Sequence, residues 1–231
     1  MGETPEKIQW HPAFYAATEL ELQEDIEHLE LMREYNLSKE PIRIDLLIIN
    51  NGETKAKLKN EIGHIMRRYN VIEYKSPTDN LSIDDFYKTL GYACLFKGYG
   101  TNVNQIPTNE LTISIFYEAY PRKMLLTIEM EGHTIEEKYP GIYYVYDFPF
   151  PVQIVVIKQL RSGEHKSLKV LSLNADRDDI KAFLKETEDL YSLREKQNVD
   201  AVMRLRKGES KEQLLSSGVD EDTIELALTI K

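Results

Sequence analysis

The stretch Val71-Ile72-Glu73-Tyr74-Lys75-Ser76-Pro77 decides the fold, because it has the composition of a buried β-strand and yet carries two charges near its end. A second aliphatic run, residues 42–49, contains Asp45. Side chains alternate between the two faces of a strand, so Glu73 and Lys75 project to the same face. If the two runs are neighbouring strands, Asp45 brings a second carboxylate to that place. The sequence therefore predicts a charged site at the end of a buried sheet.

Two carboxylates beside an ammonium group indicate one of two roles. Carboxylate oxygens are suitable ligands for a hard divalent cation such as Mg²⁺ or Mn²⁺, and a neighbouring lysine can position or deprotonate a water molecule. In this interpretation Asp45 and Glu73 hold the ion and Lys75 acts on the water. The alternative is a partly buried structural ion pair between Glu73 and Lys75. Such pairs perturb pKa values as active sites do, so the pattern leaves both roles open.

The pattern resembles the PD-(D/E)XK nuclease superfamily, whose signature is an acid on one strand followed by Glu or Asp, any residue and Lys on the next. Asp45 matches the first acid, Glu73 the second and Lys75 the lysine, whereas Ile44 stands where the motif has proline. The resemblance implies a restriction-endonuclease-like α/β fold, a mixed central sheet flanked by helices. It also implies that the carbonyl group of Tyr74 joins Asp45 and Glu73 in holding Mg²⁺ or Mn²⁺ for phosphodiester hydrolysis.

The resemblance covers residues 10–160 and extends to bacterial, transposase-like nucleases that promote recombination of mobile elements. Families of this kind often place an additional acid on the first helix, which the periodicity predicts over residues 12–37. Glu21 lies on the apolar face of that helix and is therefore a further candidate catalytic residue. The candidates for contact with nucleic acid are basic or aromatic side chains near the predicted site: Arg67, Arg68, Lys88 and Tyr92.

The other predicted elements follow from periodicity and capping signals. Ser82 and Asp85 form a capping-box pattern that predicts a helix over residues 83–96, directly after the charged strand. Cys94, the only cysteine, is predicted to be a buried packing residue of that helix. The remaining predictions are strands over residues 110–117, 141–146 and 152–160, and helices over residues 122–130 and 176–191.

Composition limits the class of protein. With 231 residues, 42% of them hydrophobic and 29% charged, the chain is typical of a globular protein with one main domain. We expect that domain over residues 1–195 and a small helical C-terminal appendage over residues 196–231. No apolar run is long enough for a signal or a membrane span, so we expect a cytoplasmic protein without a membrane partner.

The net charge of −10 argues against a broad DNA-binding surface, because binding to phosphates normally needs a basic face. Cations are nevertheless clustered between the two charged strands, where Lys55, Lys57 and Lys59 precede the Arg67–Arg68 pair. The expected partner is nucleic acid, DNA in the first place, and a homodimer stays open. The alternative is a catalytically inactive nuclease-fold module that serves protein binding or assembly through its acidic surface.

Overall fold

The structure is a computed structural model that describes residues 42–50, 58–161, 163–172, 175, 177–187, 193 and 196. The helix predicted over residues 12–37, which contains Glu21, lies outside these residues. The C-terminal appendage predicted over residues 196–231 also lies outside them, apart from Lys196. All the elements below belong to one compact unit of the chain, which begins at Arg43.

A six-stranded mixed sheet with the order β1-β2-β3-β6-β5-β4 organises this unit. The central strands β2, β3 and β6 run parallel to one another. At one edge β1 pairs with β2 in the antiparallel sense, and at the other the β4–β5 hairpin joins β6 in the antiparallel sense. The strands are β1 (Leu46–Ile49), β2 (Tyr69–Tyr74), β3 (Leu111–Tyr117), β4 (Ile135–Tyr139), β5 (Ile142–Val145) and β6 (Val152–Val156).

The helices cover both faces of the sheet. The longest, α1, connects the parallel strands β2 and β3, as a parallel pair requires of its crossover. The α-helices are α1 (Ile83–Gly98), α2 (Arg122–Met130), α3 (Lys166–Lys169) and α4 (Arg177–Thr187), and the 3₁₀ helices are Glu61–Ile65, Thr108–Glu110 and Ile157–Gln159. The fold is therefore an α/β fold with a mixed sheet flanked by helices, as the sequence predicted.

Alternation along the strands builds one core on each face of the sheet. On the first face, Val71 and Ile113 pack with Phe86 and Leu90 of α1 and with Ile128 of α2. On the second face, a separate cluster packs against the 3₁₀ helix that precedes β2, and its buried members are Ile62, Ile72, Phe116, Ile142, Val155 and Leu160. Strands that are buried on both faces explain the nearly continuous aliphatic sequence of β3 and β6.

Several sequence predictions on these elements differ from the structure. The strand predicted over residues 42–49 begins only at Leu46, so Asp45 precedes it. The strand predicted over residues 152–160 ends at Val156, where a 3₁₀ helix follows. Cys94 is exposed, not buried, because the buried positions of α1 follow the stripe Phe86, Leu90 and Ala93, and residue 94 turns away from it. The strand β4 was not predicted, since three of its five residues are charged. It forms the outer edge of the sheet, where charged side chains remain in water.

Within the described residues, no helix has the length and the apolar character that a membrane crossing requires.

Candidate functional site

The candidate site lies at the edge of the sheet where the parallel strands end. The carboxyl ends of β2, β3 and β6 meet there, and β1 begins there because it runs in the opposite direction. In open α/β sheets, ligands bind outside the carboxyl ends of the strands. The charged stretch that ends β2 is therefore at the place where this class of fold builds its sites.

Strand register brings Asp45 to Glu73. Leu46 pairs with Ile72 in the antiparallel ladder of β1 and β2, and Asp45 directly precedes β1. Asp45 therefore lies beside Glu73, close enough for its charge to raise the pKa of Glu73. The two carboxylates, separated by nearly thirty residues in the sequence, thus belong to one site.

The main chain of Tyr74 faces the same place. Its N–H donates to Oδ2 of Asp45 at 3.0 Å. If β1 were longer, one of its backbone carbonyl groups would accept this hydrogen bond instead. The next N–H, that of Lys75, points the other way and donates to the carbonyl oxygen of Phe116 at 2.9 Å. Because the N–H and C=O of one strand residue point to the same side, the carbonyl of Tyr74 also faces the β1 side, where Asp45 lies.

Glu73 is the buried acid of the site. It is 6% exposed and shares the face of Val71, against which α1 packs. Burial raises the pKa of Glu73, the nearby charge of Asp45 raises it further, and the cations of Lys75 and Lys88 only partly oppose this. A buried carboxylate with a second carboxylate beside it is destabilised as an anion, and a bound cation relieves that cost.

Lys75 is held between β2 and the start of α1. Its Nζ lies 3.0 Å from Oδ1 of Asp85 and 3.5 Å from Oε1 of Glu73. Burial alone would lower the pKa of Lys75, but the hydrogen bond and the charge of Asp85, together with Glu73, raise it above its ordinary value. Lys75 is therefore an ammonium ion at neutral pH, which can orient an anion or a water molecule.

Asp85 is a site residue whose electrostatic role the sequence did not reveal. The predicted capping box is present, with Oδ2 of Asp85 accepting from the backbone N–H of Ser82 at 3.0 Å and from its hydroxyl at 2.7 Å. Its other oxygen accepts from Lys75. Burial opposes the charge, but the hydrogen bonds from Ser82 and Lys75 outweigh it and lower the pKa of Asp85. The cap thus also holds the lysine.

Lys88 lies one turn further along α1 and belongs to the same group of charges. Its cation lowers the pKa of Glu73, and its Nζ lies 5.4 Å from the centre of the Tyr92 ring. Interaction with Tyr92 raises the pKa of Lys88 and keeps it charged. The structure thus brings Lys88 and Tyr92 to the rim of the carboxylate site.

Arg67 and Arg68 lie at the opposite end of β2 from Glu73. Arg67 donates to the carbonyl oxygen of Asn109 at 2.6 Å, and Arg68 lies 3.6 Å from Glu110. The five residues from Arg68 to Glu73 span about 17 Å of extended strand. The structure therefore does not bring these two arginines to the carboxylates, and Glu21 lies outside the described residues.

A second group of potential metal ligands lies elsewhere, among Glu61, Glu164 and His165. One ligand atom from each residue falls within 4.8 Å of the others. The histidines show no His-x-x-x-His spacing, so a metal site was not expected there. Glu61 is more than a hundred residues from the Glu164–His165 pair, and only the fold brings them together.

Comparison of the chain with protein-family models, with curated proteins and with solved structures found no match. Conclusions on function therefore rest on the chemistry of the residues described above.

Proposed function

We propose that this protein is a metal-dependent nuclease with a PD-(D/E)XK-like core, which hydrolyses phosphodiester bonds of nucleic acid. The observation that carries the proposal is that Asp45, just before β1, lies close to the buried Glu73 and the main chain of Tyr74, with Lys75 beside them. The order of an antiparallel strand pair, a crossover helix and a parallel strand also supports this core.

The donor groups fit Mg²⁺ or Mn²⁺. Asp45, Glu73 and the carbonyl of Tyr74 offer only oxygen atoms, which is the ligand type that these hard cations prefer. Burial and then the charge of Asp45 raise the pKa of Glu73, so a divalent ion held by the two acids would stabilise the ionised carboxylate. A bound divalent ion would neutralise charge on a phosphate and favour ionisation of a water molecule.

The cations of the chain have separate tasks in this proposal. Lys75, fixed by Asp85 and Glu73, orients the attacking water and stabilises negative charge as it develops on the phosphate. Lys88, at the rim, attracts the phosphates of the substrate. The net charge of −10 would not attract them. A local pair of lysines is sufficient for a site that acts on one phosphodiester group.

The rival proposal is an inactive nuclease-fold module for protein binding or assembly. It is supported by the contact between Lys75 and the capping residue Asp85, which ties a strand end to a helix start as a structural ion pair does. This rival explains Lys75 and the burial of its partner Glu73, but it gives no reason for a second carboxylate, that of Asp45, close to Glu73. The pairing of Asp45 and Glu73 therefore favours the nuclease.

The test is cleavage of labelled DNA and RNA, single- and double-stranded, by wild type, Asp45→Asn and Lys75→Ala, each with Mg²⁺, Mn²⁺ or chelator. We expect cleavage by wild type only with a divalent ion. Lys75→Ala should lower turnover by about 10²–10³-fold, the usual cost of removing one group that stabilises charge in the transition state, and should retain ion binding. Asp45→Asn should lose binding of the ion itself.

A matched control exists on β4, where Glu136 and Lys138 repeat the Glu-x-Lys spacing on an exposed strand, with Nζ 3.2 Å from Oε1. No second acid faces Glu136 across the hairpin, because its partner is Tyr144. Lys138→Ala should therefore cleave as wild type does. If wild type cleaves no substrate above the Lys75→Ala background, the binding-module proposal replaces the nuclease.

A further inference from the structure

The second ligand group is built from parts of the chain that are distant in sequence. Glu61 begins the 3₁₀ helix before β2, while Glu164 and His165 immediately precede the short helix α3. This 3₁₀ helix covers the second face of the sheet, since the backbone carbonyl of Ile62 accepts from Gln153 of β6. Glu73 and Lys75 project to the first face. The group is therefore separate from the proposed nuclease site.

His165 is the member of the group that needs an explanation. Its side chain is 2% exposed, and buried polar groups are nearly always hydrogen-bonded. Nδ1 of His165 has no partner among the residues that the structure describes, so Nε2 is the ring nitrogen with a polar neighbour there. Its Nε2 points to Glu61 but lies 3.4 Å from Oε2, longer than the 2.7–3.2 Å or so of an ordinary N–H···O hydrogen bond.

That separation is long for a hydrogen bond and equals the separation of two ligands on one metal ion. Zinc–nitrogen and zinc–oxygen bonds are about 2.0–2.2 Å long, so two ligands of a tetrahedral ion lie about 3.4 Å apart. Nε2 of His165 and Oε2 of Glu61 already have this spacing. The carboxylate of Glu164 is half exposed at 50% and can move the remaining distance, because its ligand atom is within 4.8 Å of the other two.

We propose that Glu61, Glu164 and His165 form a binding site for a transition-metal ion of the zinc type. An imidazole nitrogen with two carboxylate oxygens is a ligand set that Zn²⁺ accepts, with water completing the shell. Mg²⁺ takes oxygen ligands and keeps several waters, so it is the poorer fit. Two carboxylates also balance the charge of one divalent ion.

The guanidinium group of Arg161 competes with a metal ion for the carboxylates of this site. Its Nη1 lies 3.5 Å from Glu61 and 3.3 Å from Glu164, so it neutralises both acids when no ion is bound. The side chain is 48% exposed and can turn into water. An ion must displace this guanidinium, and Arg161 therefore lowers the affinity of the site.

Binding of Zn²⁺, Co²⁺ and Mg²⁺ to the full chain, followed by calorimetry and by the visible absorption of Co²⁺, tests the proposal. Glu164→Gln, an exposed position that leaves the core intact, should weaken Zn²⁺ binding at least 10-fold, and His165→Gln should abolish it. Arg161→Gln should bind Zn²⁺ more tightly than wild type by about 10-fold, since the competing cation is gone. Mg²⁺ should not displace the ion.

Two controls separate this site from other ion binding. Glu73→Gln removes a carboxylate of the proposed nuclease site and should leave the Zn²⁺ affinity unchanged. His133→Gln changes a histidine whose Nδ1 likewise has no partner among the described residues but which stacks on Phe148 instead, and should also bind Zn²⁺ normally. The proposal is overturned if Glu164→Gln binds Zn²⁺ as wild type does, if Arg161→Gln binds it more weakly, or if Glu73→Gln abolishes binding.

Discussion

The ammonium nitrogen of Lys75 lies 3.0 Å from Oδ1 of Asp85, whose other carboxylate oxygen closes the capping box of α1. One side chain thus joins the end of β2 to the beginning of the helix that follows it. The position of the lysine depends on the helix cap, although nine residues separate the two in the sequence. The contact therefore fixes the position of Lys75 relative to both β2 and α1.

We predict that Asp85→Asn lowers turnover at least 10-fold and leaves binding of the divalent ion unchanged. The asparagine oxygen still accepts from Ser82, so the cap remains, but Lys75 loses its charged partner. Ser82→Ala is the matched control, because it removes part of the cap and keeps the contact between Lys75 and Asp85. It should cost about 0.5–2 kcal/mol of stability and little activity. Thermal unfolding and the separate measurement of kcat and KM compare the two, and equal losses of kcat would contradict the positioning role.

We predict that Glu73→Gln stabilises the protein in chelator while it abolishes cleavage. The folded state raises the pKa of Glu73, through burial and then through Asp45. When the pKa of a carboxyl group is higher in the folded than in the unfolded state, the fold keeps its full stability below the unfolded-state pKa. The fold loses part of that stability as the pH rises through the folded-state pKa. The advantage of the variant should therefore grow from about pH 4, near the ordinary pKa of glutamate, to neutral pH.

The gain should lie within about 0.5–2 kcal/mol, the usual yield of one stabilising substitution. Melting temperatures of wild type and Glu73→Gln across this pH range, in chelator, measure it. A variant less stable than wild type at neutral pH would show that the ion pair with Lys75 outweighs the cost of burying Glu73.

We predict that Lys88→Gln weakens substrate binding more than Arg67→Gln or Arg68→Gln does. Lys88 lies close enough to Glu73 to lower its pKa, whereas the two arginines contact Asn109 and Glu110 at the far end of β2. Loss of one phosphate contact should reduce the slope of log affinity against log salt by about 1. Binding to labelled DNA at several salt concentrations gives this slope. Equal effects at the three positions would mean that nucleic acid runs along the whole of β2.

The sequence predicted the elements around the site because local signals determine them. The capping box of Ser82 and Asp85 marks the start of α1, and the aliphatic runs of β2 and β3 mark strands buried on both faces. Glu136-x-Lys138 shows the limit of the motif itself, since the same spacing occurs on an exposed edge strand. Glu73-x-Lys75 differs from this exposed pair because Glu73 is buried and has a second acid, Asp45, beside it. In the sequence Asp45 is far from Glu73, so the motif alone does not reveal their proximity.

Features that depend on distant contacts were not predictable. The register that pairs β1 with β2 decides whether Asp45 faces Glu73, and a slip of one residue would move it to the other face of the sheet. The group of Glu61, Glu164 and His165 forms only when α3 approaches the 3₁₀ helix before β2. Cys94 shows the opposite error, because its apolar neighbours in the sequence predicted burial while its place on the helix exposes it.

We predict that Gly141→Ala destabilises the fold severely, because Gly141 lies in the turn between β4 and β5 and packs closely against the end of β6. Its φ is +76°, and an added Cβ would lie 2.7 Å from the carbonyl carbon of Gln159 and 2.9 Å from the carbonyl oxygen of Val156. A left-handed conformation costs an L-residue roughly 1–2 kcal/mol, and the collision with backbone adds to it. We expect a total of about 2–4 kcal/mol.

Gly132→Ala is the matched control for this last prediction. Gly132 also has a positive φ, +92°, but no atom of the described residues lies within 4 Å of its added Cβ, so its cost should be the conformational part alone, roughly 1–2 kcal/mol. Urea unfolding of both variants measures the difference between them. That difference reports the close approach of the hairpin to the end of β6. Equal losses at the two glycines would contradict the place of β5 beside β6 and with it the sheet order that holds the candidate site.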